Sequence, residues 1–412
     1  MADYITIETV YDILERSIAP VPATELLPLS AAEGRILAET ITAPFDAPAF
    51  DNSAMDGFAF RAAELAPGAA VRLRVAGVSY AGAPFNGVVA PGEAVRIMTG
   101  AKMPEGADTV IPFERTRSEE TPEGAWVVFD AQRVKPGENV RLQGEEMRAG
   151  DAVMEPGEVL TPAWIGLAAA LGRAELRCRR LTVALFSTGD ELVAPGTPGP
   201  LPAGAVYNAN SALLAAQIRR WGADVVDLGI LPDDPEVQRA ALSEAARRCD
   251  FLVATGGVGE GEHDYTNRVL AEMGGGVTHH HVSMRPGKPF SFGRIPGEHP
   301  VWFMALPGNP VAAAVSAALF LRRALLLAGG ATAPLNLPKA PAVAGRRIKG
   351  RTGRTDLVRG RLEMEAGRLV FTPTASQSSG QLTTLTGMNA MAVLGLDSAG
   401  VEEGASVECL LI

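Results

Sequence analysis

Glu191, Asp233 and Asp264 each stand a few residues beyond a short apolar run, where a strand would deliver its next residues to one edge of a sheet. Carboxylate oxygens are hard ligands that suit Mg²⁺ held together with a substrate's phosphates. The segments around them are Ser187-Thr188-Gly189-Asp190-Glu191, Leu231-Pro232-Asp233-Asp234-Pro235 and Gly256-Gly257-Val258-Gly259-Glu260-Gly261-Glu262-His263-Asp264. Pro307-Gly308-Asn309-Pro310 makes a fourth, opening a helix. Glycine-rich turns and helix starts present backbone N–H groups to anions. A metal combined with amide donors is the chemistry of a phosphate-ester or anhydride site. The competing reading is that Asp233 and Asp234 cap the helix at Pro235. Three acids on neighbouring strand ends are harder to explain as caps.

A second cluster is basic. Arg285-Pro286-Gly287-Lys288-Pro289 follows His279-His280-His281. On a strand His279 and His281 share one face and His280 the other. Zinc is the weaker reading of the histidines, because no cysteine or second histidine pair supplies the remaining ligands. Arg285 offers a planar fork and Lys288 a point charge, both suited to an oxyanion, and a solvated turn is the open alternative. Two further turns carry acids or hydroxyls, Asp51-Asn52-Ser53-Ala54-Met55-Asp56-Gly57-Phe58 and Arg96-Ile97-Met98-Thr99-Gly100-Ala101. The glycine segment at 256–261 lacks the GxGxxG spacing and follows the wrong strand for a dinucleotide fold, and the chain has no GxxxxGK[ST], GxSxG or HExxH.

The elements that must position these residues follow from periodicity. Leu181–Phe186, Asp224–Ile230, Phe251–Thr255 and Val301–Leu306 are near-continuous apolar runs, as expected of strands covered on both faces. Helical patterns alternate with them at Asn210–Trp221, Pro235–Arg248 and after Pro310. Repeated strand–helix units predict a doubly wound, mainly parallel α/β sheet, with ligands beyond the carboxyl ends of its strands. Residues 5–18 and about 162–171 predict helices. Residues 45–140 break into short β-rich runs such as Val71–Val75 and Trp126–Phe129, which predicts a small all-β module. After Gly329-Gly330 the chain returns to strands at Arg359–Met364, Arg368–Thr372, Met391–Leu396 and Val407–Ile412, a small barrel or sandwich.

The chain has 412 residues, 47% of them hydrophobic and 20% charged, with a net charge of −10. That is enough apolar material for several cores, and the acidic balance argues against a nucleic-acid partner. Three scattered cysteines without a CxxC, no basic-then-apolar start, and an apolar run at Val311–Leu321 stopped by Arg322-Arg323 predict a cytoplasmic protein outside the membrane.

Seven of these segments, in order, resemble the molybdopterin molybdenumtransferase family, the bacterial MoeA type and the E domains of gephyrin and its plant counterpart. They are Asn52–Gly57, Arg96–Ala101, Ser187–Glu191, Asp233–Pro235, Asp264-Tyr265, Met284–Pro289 and Leu306–Pro310. The resemblance implies four parts: a split helical domain (1–44 and 141–178), an inserted β domain (45–140), a MoaB/Mog-like α/β domain (179–328) and a C-terminal β-barrel (329–412). It implies a homodimer in which Asp56 and Thr99 reach the partner's site. The reaction implied is Mg²⁺-dependent cleavage of adenylylated molybdopterin, with molybdate insertion into its dithiolene and release of AMP. Asp56, Thr99, Glu191, Asp233 and Asp264 become catalytic candidates, the last three also on the metal side. Ser187, Gly256, Gly257, His281, Arg285, Lys288, Pro307, Asn309, Pro310, Arg359 and Ser379 become substrate-binding candidates, with Pro307–Pro310 as the floor of an oxyanion pocket. The departures are Gly259 and Glu260 in place of Ser and Val, His281 in place of Lys or Arg, and Ala312 in place of Ser. Alternatives are a tungstate-inserting paralogue, the adenylyltransferase of the preceding step, and a scaffold without activity. The adenylyltransferase and molybdoenzyme apoproteins or their chaperones are the implied protein partners.

Overall fold

A computed structural model describes residues 4–65, 70–256, 265–296, 299 and 301–412. Gly257 and Asp264, with the departures at Gly259 and Glu260, lie outside the described residues. The chain divides into two compact units, one of Met1–Glu39, Pro156–Ala169 and Arg173–Ile412, the other of Thr40–Glu155 with Ala170–Gly172.

The first unit opens with helix α1 (Ile7–Ser17), capped by the Thr6 hydroxyl and burying Ile7, Val10 and Leu14. Burial of such side chains contributes about 1.5–3 kcal/mol each. The α/β segment follows as β1 (Thr182–Thr188), α2 (Ala209–Arg220), β2 (Asp224–Leu231), α3 (Pro235–Ala246), β3 (Phe251–Thr255), α4 (Tyr265–Glu272), β4 (Gly276–Val282), β5 (Pro289–Ile295), β6 (Val301–Leu306) and a helix spanning Pro310–Gly329. The sheet runs Tyr4–Ile5, β4, β5, β6, β3, β1, β2. Its core strands β2, β1, β3 and β6 are parallel, as their unbroken apolar runs predict, while β5 is antiparallel to both β6 and β4. One face packs on α1, α2 and the Pro310–Gly329 helix, the other on α3 and α4. The Pro310–Gly329 helix is long and apolar enough to cross a membrane, and nearly all of it is buried inside the protein as a core helix. Helix and sheet share their core with Leu357, Met391 and Leu410 of the next segment.

That segment is β7 (Lys339–Ala344), β8 (Thr355–Glu365), β9 (Arg368–Pro373), β10 (Ala390–Leu394) and β11 (Ser406–Leu411). The pairings β8–β9–β7–β11–β10–β8 close a five-stranded barrel, so no long edge strand is left open. A two-residue strand, Met284–Arg285, leaves the α/β sheet and pairs in parallel with Thr355–Asp356 of β8.

The second unit is built on a six-stranded sheet in the order Thr109–Pro112, Gly57–Phe60, Glu93–Ile97, Ala70–Ser79, Gly124–Asp130, Thr116–Thr121. Phe58, Phe60, Val71, Leu73, Ile111, Val127 and Phe129 form its core. A Cβ at Gly57 would run into the Ile111 carbonyl, so only glycine allows the strand after Asp56 to pair this closely.

Candidate functional site

The parallel registers bring four strand ends level. Ser187 on β1 is beside Ile230 on β2 and Thr255 on β3, and Thr255 is beside Leu306 on β6. Because β5 runs the other way, its first residue, Pro289, lies at this same edge, opposite His281 at the end of β4. The loops therefore line one rim in spatial order: Asp233, then Glu191 and Ser187, Gly256, Pro307–Pro310, Lys288 and His281. Neighbouring strands are ~4.8 Å apart, so the acids and the cations occupy opposite ends of this rim.

The centre is knitted by groups behind the surface. Ser187 is fully buried; its hydroxyl lies 3.3 Å from that of Ser211 and accepts from Asn208 Nδ2 at 3.1 Å. Asn208 is also the N-cap of α2. Ser187 therefore supports the rim from inside. Asn210, on the first turn of α2, donates from Nδ2 to the Thr255 hydroxyl and to the Gly308 carbonyl, 2.7 Å each. It thereby ties the ends of β3 and β6. Gly256 adopts φ +83°, and a Cβ there would lie 2.9 Å from the Thr188 carbonyl oxygen, so the position just after β3, lying against the end of β1, requires glycine. Asn208 and Asn210 were missed in the sequence, where Asn-Ala-Asn-Ser at a helix start reads as ordinary capping.

At the acid end Glu191 is exposed, and its carboxylate folds back over Gly189. Asp234, whose carboxylate accepts from the N–H groups of Glu236 and Val237, caps α3. Asp233, half-buried beyond β2, is thus not the cap. Among the described residues no three His, Cys, Asp or Glu side chains form a metal-holding group, and Asp264 lies outside them. The donor chemistry of Glu191 and Asp233 still suits a hard cation completed by substrate oxygens. The histidine run is engaged otherwise: His279 Nδ1 meets the Ser291 hydroxyl at 2.7 Å, and His280 stacks on Phe290. Burial, and then the nearby His279, holds His280 below the usual imidazole range.

At the cation end Arg359 on β8 is fully buried. Its Nε donates to the Thr384 hydroxyl at 3.1 Å and its Nη2 to the Ser378 carbonyl at 3.2 Å, while Nη1 is buried without a partner among the described residues. Gln377 brackets its backbone on both sides, accepting from the N–H and donating to the carbonyl at 2.9 Å each. Burial first, and the charge of neighbouring Arg285 second, push the guanidinium down to about 10. Ser379 joins this loop to the rim, its carbonyl accepting from Val311 N–H in the first turn after Asn309 and Pro310. Ala312, with no hydroxyl, is buried in that turn. Arg285 faces Asp356 on β8, and Lys288 and His281 flank the ring of Tyr4 at 5.1 and 5.6 Å from its centroid. An unpaired buried cation carries a large desolvation cost, which an anion beside it offsets.

In the second unit the structure brings Asp56 and Thr99 together. The Thr99 N–H and hydroxyl both donate to Asp56 Oδ1 at 2.7 Å. The backbone bond first and the hydroxyl second hold this exposed carboxyl below the usual carboxylate range.

Comparison with known proteins agrees with this architecture along the whole chain. Family profiles match at residues 5–172 (MoeA N-terminal region, domain I and II), 184–326 (probable molybdopterin binding domain) and 341–412 (MoeA C-terminal region, domain IV). The molybdopterin molybdenumtransferase of Haemophilus influenzae is 38% identical over 386 residues, 93% of each chain. That of Bacillus subtilis is 33% identical over 393 residues, 94% of this chain and 90% of the relative. The crystal structure of the molybdopterin biosynthesis moeA protein from Pyrococcus horikoshii superposes with a TM-score of 0.81 at 27% identity, covering 100% of both chains. With relatives this similar over nearly their full length, the chain belongs to the MoeA family of molybdopterin molybdenumtransferases.

Proposed function

We propose that this chain inserts molybdenum into adenylylated molybdopterin and releases AMP, the last step in assembly of the molybdenum cofactor. The observation that carries the reading is Arg359, a guanidinium buried without a carboxylate among the described residues, beside Ser379 and the Asn309 helix start on a rim whose other end bears acids. This chain's own groups divide the work. Arg359 and Arg285 oppose the charge of molybdate, and the Pro307–Pro310 turn, tied by Asn210, gives that oxyanion a fixed floor. Glu191, Asp233 and Asp264 are the groups that would hold Mg²⁺ with the substrate's phosphates. When bound there, the ion would neutralise charge developing on the cleaved anhydride.

The functional form in this reading is a cytoplasmic homodimer. Asp56 and Thr99 of one copy would complete the rim of the other, and their mutual hydrogen bonds keep Asp56 ionised and aimed. The deciding experiment incubates the purified protein with adenylylated molybdopterin, Mg²⁺ and either molybdate or tungstate, and follows AMP. Molybdate-dependent AMP release that chelation abolishes supports the reading, and no AMP with either oxyanion refutes it. A preference for tungstate would identify the paralogous activity. Light scattering at assay concentration tests the dimer, for which a monomeric, active species is the contrary result.

A further inference from the structure

Asp356 is among the most buried charges of the described residues, 1% exposed. Its Oδ2 accepts from Arg285 Nη2 and from the Arg351 N–H, both at 3.0 Å. Its Oδ1 lies 2.9 Å from Arg285 Nε and 3.5 Å from Arg354 Nε. The carboxylate thus faces the Nε/Nη2 edge of the Arg285 fork, with one hydrogen bond, at Nη2, and a close charge contact at Nε that is not a hydrogen bond. The backbone sets this up, because Met284–Arg285 pairs in parallel with Thr355–Asp356 and makes Arg285 and Asp356 register partners. Three positions farther along the same strand stands Arg359, close enough for the Arg285 charge to act on it. One β-strand therefore carries both the buried cation and the acid that grips its neighbour.

We propose that Asp356 is a positioning residue of the oxyanion site, holding the Arg285 guanidinium by its Nε/Nη2 edge so that the remaining N–H donors are turned to the rim beside Arg359. The inference rests on the oxyanion reading given above. Two effects of removing the carboxylate have opposite signs. Losing a negative charge next to two guanidiniums strengthens anion attraction. Releasing Arg285 from a rigid strand pair weakens it, because an unpositioned donor pays ordering entropy on binding. Positioning dominates in this geometry, since the charge-assisted bond from Nη2 and the paired strands together fix the orientation of the guanidinium.

The test is calorimetric titration of the full chain with molybdate at fixed ionic strength. Asp356→Asn is expected to bind about tenfold more weakly than the parent despite its extra positive charge. Asp356→Glu, which keeps the charge but displaces it by a methylene, should fall between the two and covers the case in which the Asn variant does not fold. On an Arg285→Lys background, where the fork is already gone, Asp356→Asn should cost no further affinity. Unchanged or tighter binding by Asp356→Asn overturns the proposal, as does unchanged affinity in Asp356→Glu. An equal tenfold loss on the Arg285→Lys background overturns it as well, by making the effect a structural one. A parent protein that binds no molybdate refutes the oxyanion reading and this inference with it. Normal parent binding with an unaffected Asp356→Asn refutes the inference alone.

Discussion

The two ends of the rim are built differently. The cation end is made of secondary structure: Arg359 and Asp356 are on β8, Arg285 is on a strand paired to it, and Ser379 is bonded to a helix start. Arg359 and Asp356 are buried and Arg285 is half-buried against Asp356, so their positions are set before any ligand arrives. The acid end is made of loops: Glu191 is exposed after β1 and Asp233 follows β2. Fixed dipoles and charges suit recognition of an oxyanion of constant shape, because no reorganisation is needed on binding. Carboxylates on loops suit a metal that arrives with its substrate's phosphates and takes its final ligands from both. In the proposed reaction, that contrast would give selectivity to one end and metal-dependent cleavage to the other.

The sharpest way to break that contrast is at Arg359. Arg359→Met should abolish molybdate binding and lower AMP release at least a hundredfold, a magnitude typical of losing a preorganised charge. Thermal stability should change little, since a well-packed apolar side chain in place of an uncompensated buried charge is often neutral. A collapse in Tm that parallels the loss of activity would make Arg359 a structural residue. At the other end, Glu191→Ala should also reduce turnover, by about tenfold to a hundredfold. Molybdate affinity should stay within about a factor of two, because a Debye length of ~8 Å screens exposed charges across the rim. Equal losses of affinity in the two variants would show that the ends are one site.

What the sequence disclosed about these ends follows from the same difference. Unbroken apolar strands and the Gly, Pro and Asp punctuation between them predict the parallel sheet and its ligand edge, and β3 and β6 appear at their expected limits. The antiparallel β4–β5 hairpin was not legible, because β4 is polar and largely exposed or half-buried, and the apolar run of β5 reads the same in either direction. Asp356 was equally silent: three residues from Arg359 in a run of arginines, it reads as a surface ion-pair partner. Pairing with Arg285 on one side and with Leu394 of β10 on the other buries it. Ser187 reads as a rim hydroxyl, and the structure turns it inward onto Asn208, a contact that depends on the α2 start folding back over β1.

The Asp56–Thr99 pair sharpens the comparison more gently. Thr99→Ala removes the hydroxyl that donates to Asp56 and leaves the backbone N–H in place. The Asp56 pKa should then rise part of the way toward the ordinary ~3.9, as read by carboxyl-carbon NMR titration. The sign follows from the depressed value. Because the folded state favours the ionised form, its contribution is present above the unfolded pKa and is lost as pH falls through the folded one. In the parent this turn should loosen only below the usual carboxylate range, and in the variant at a higher pH. A turnover loss of about tenfold is expected if Asp56 serves the site of a second copy. An unaltered pKa would mean the backbone bond alone sets it.

The smallest effect is expected at Lys288. It belongs to the cation end by position, yet it is exposed and lies over the Tyr4 ring, at the edge of a sheet held there by only two residues, Tyr4–Ile5. An exposed ammonium contributes little net affinity and is screened by salt, so it attracts an approaching anion more than it fixes a bound one. Lys288→Ala should weaken molybdate binding by only about threefold at low salt, and the difference should vanish near 0.5 M salt, where the screening length is roughly half its physiological value. Arg359→Met, by contrast, should remain defective at every ionic strength, because its guanidinium is shielded from solvent. A salt-insensitive loss at Lys288 as large as that at Arg359 would place it inside the preformed pocket and extend the rigid part of the rim to its outermost strands.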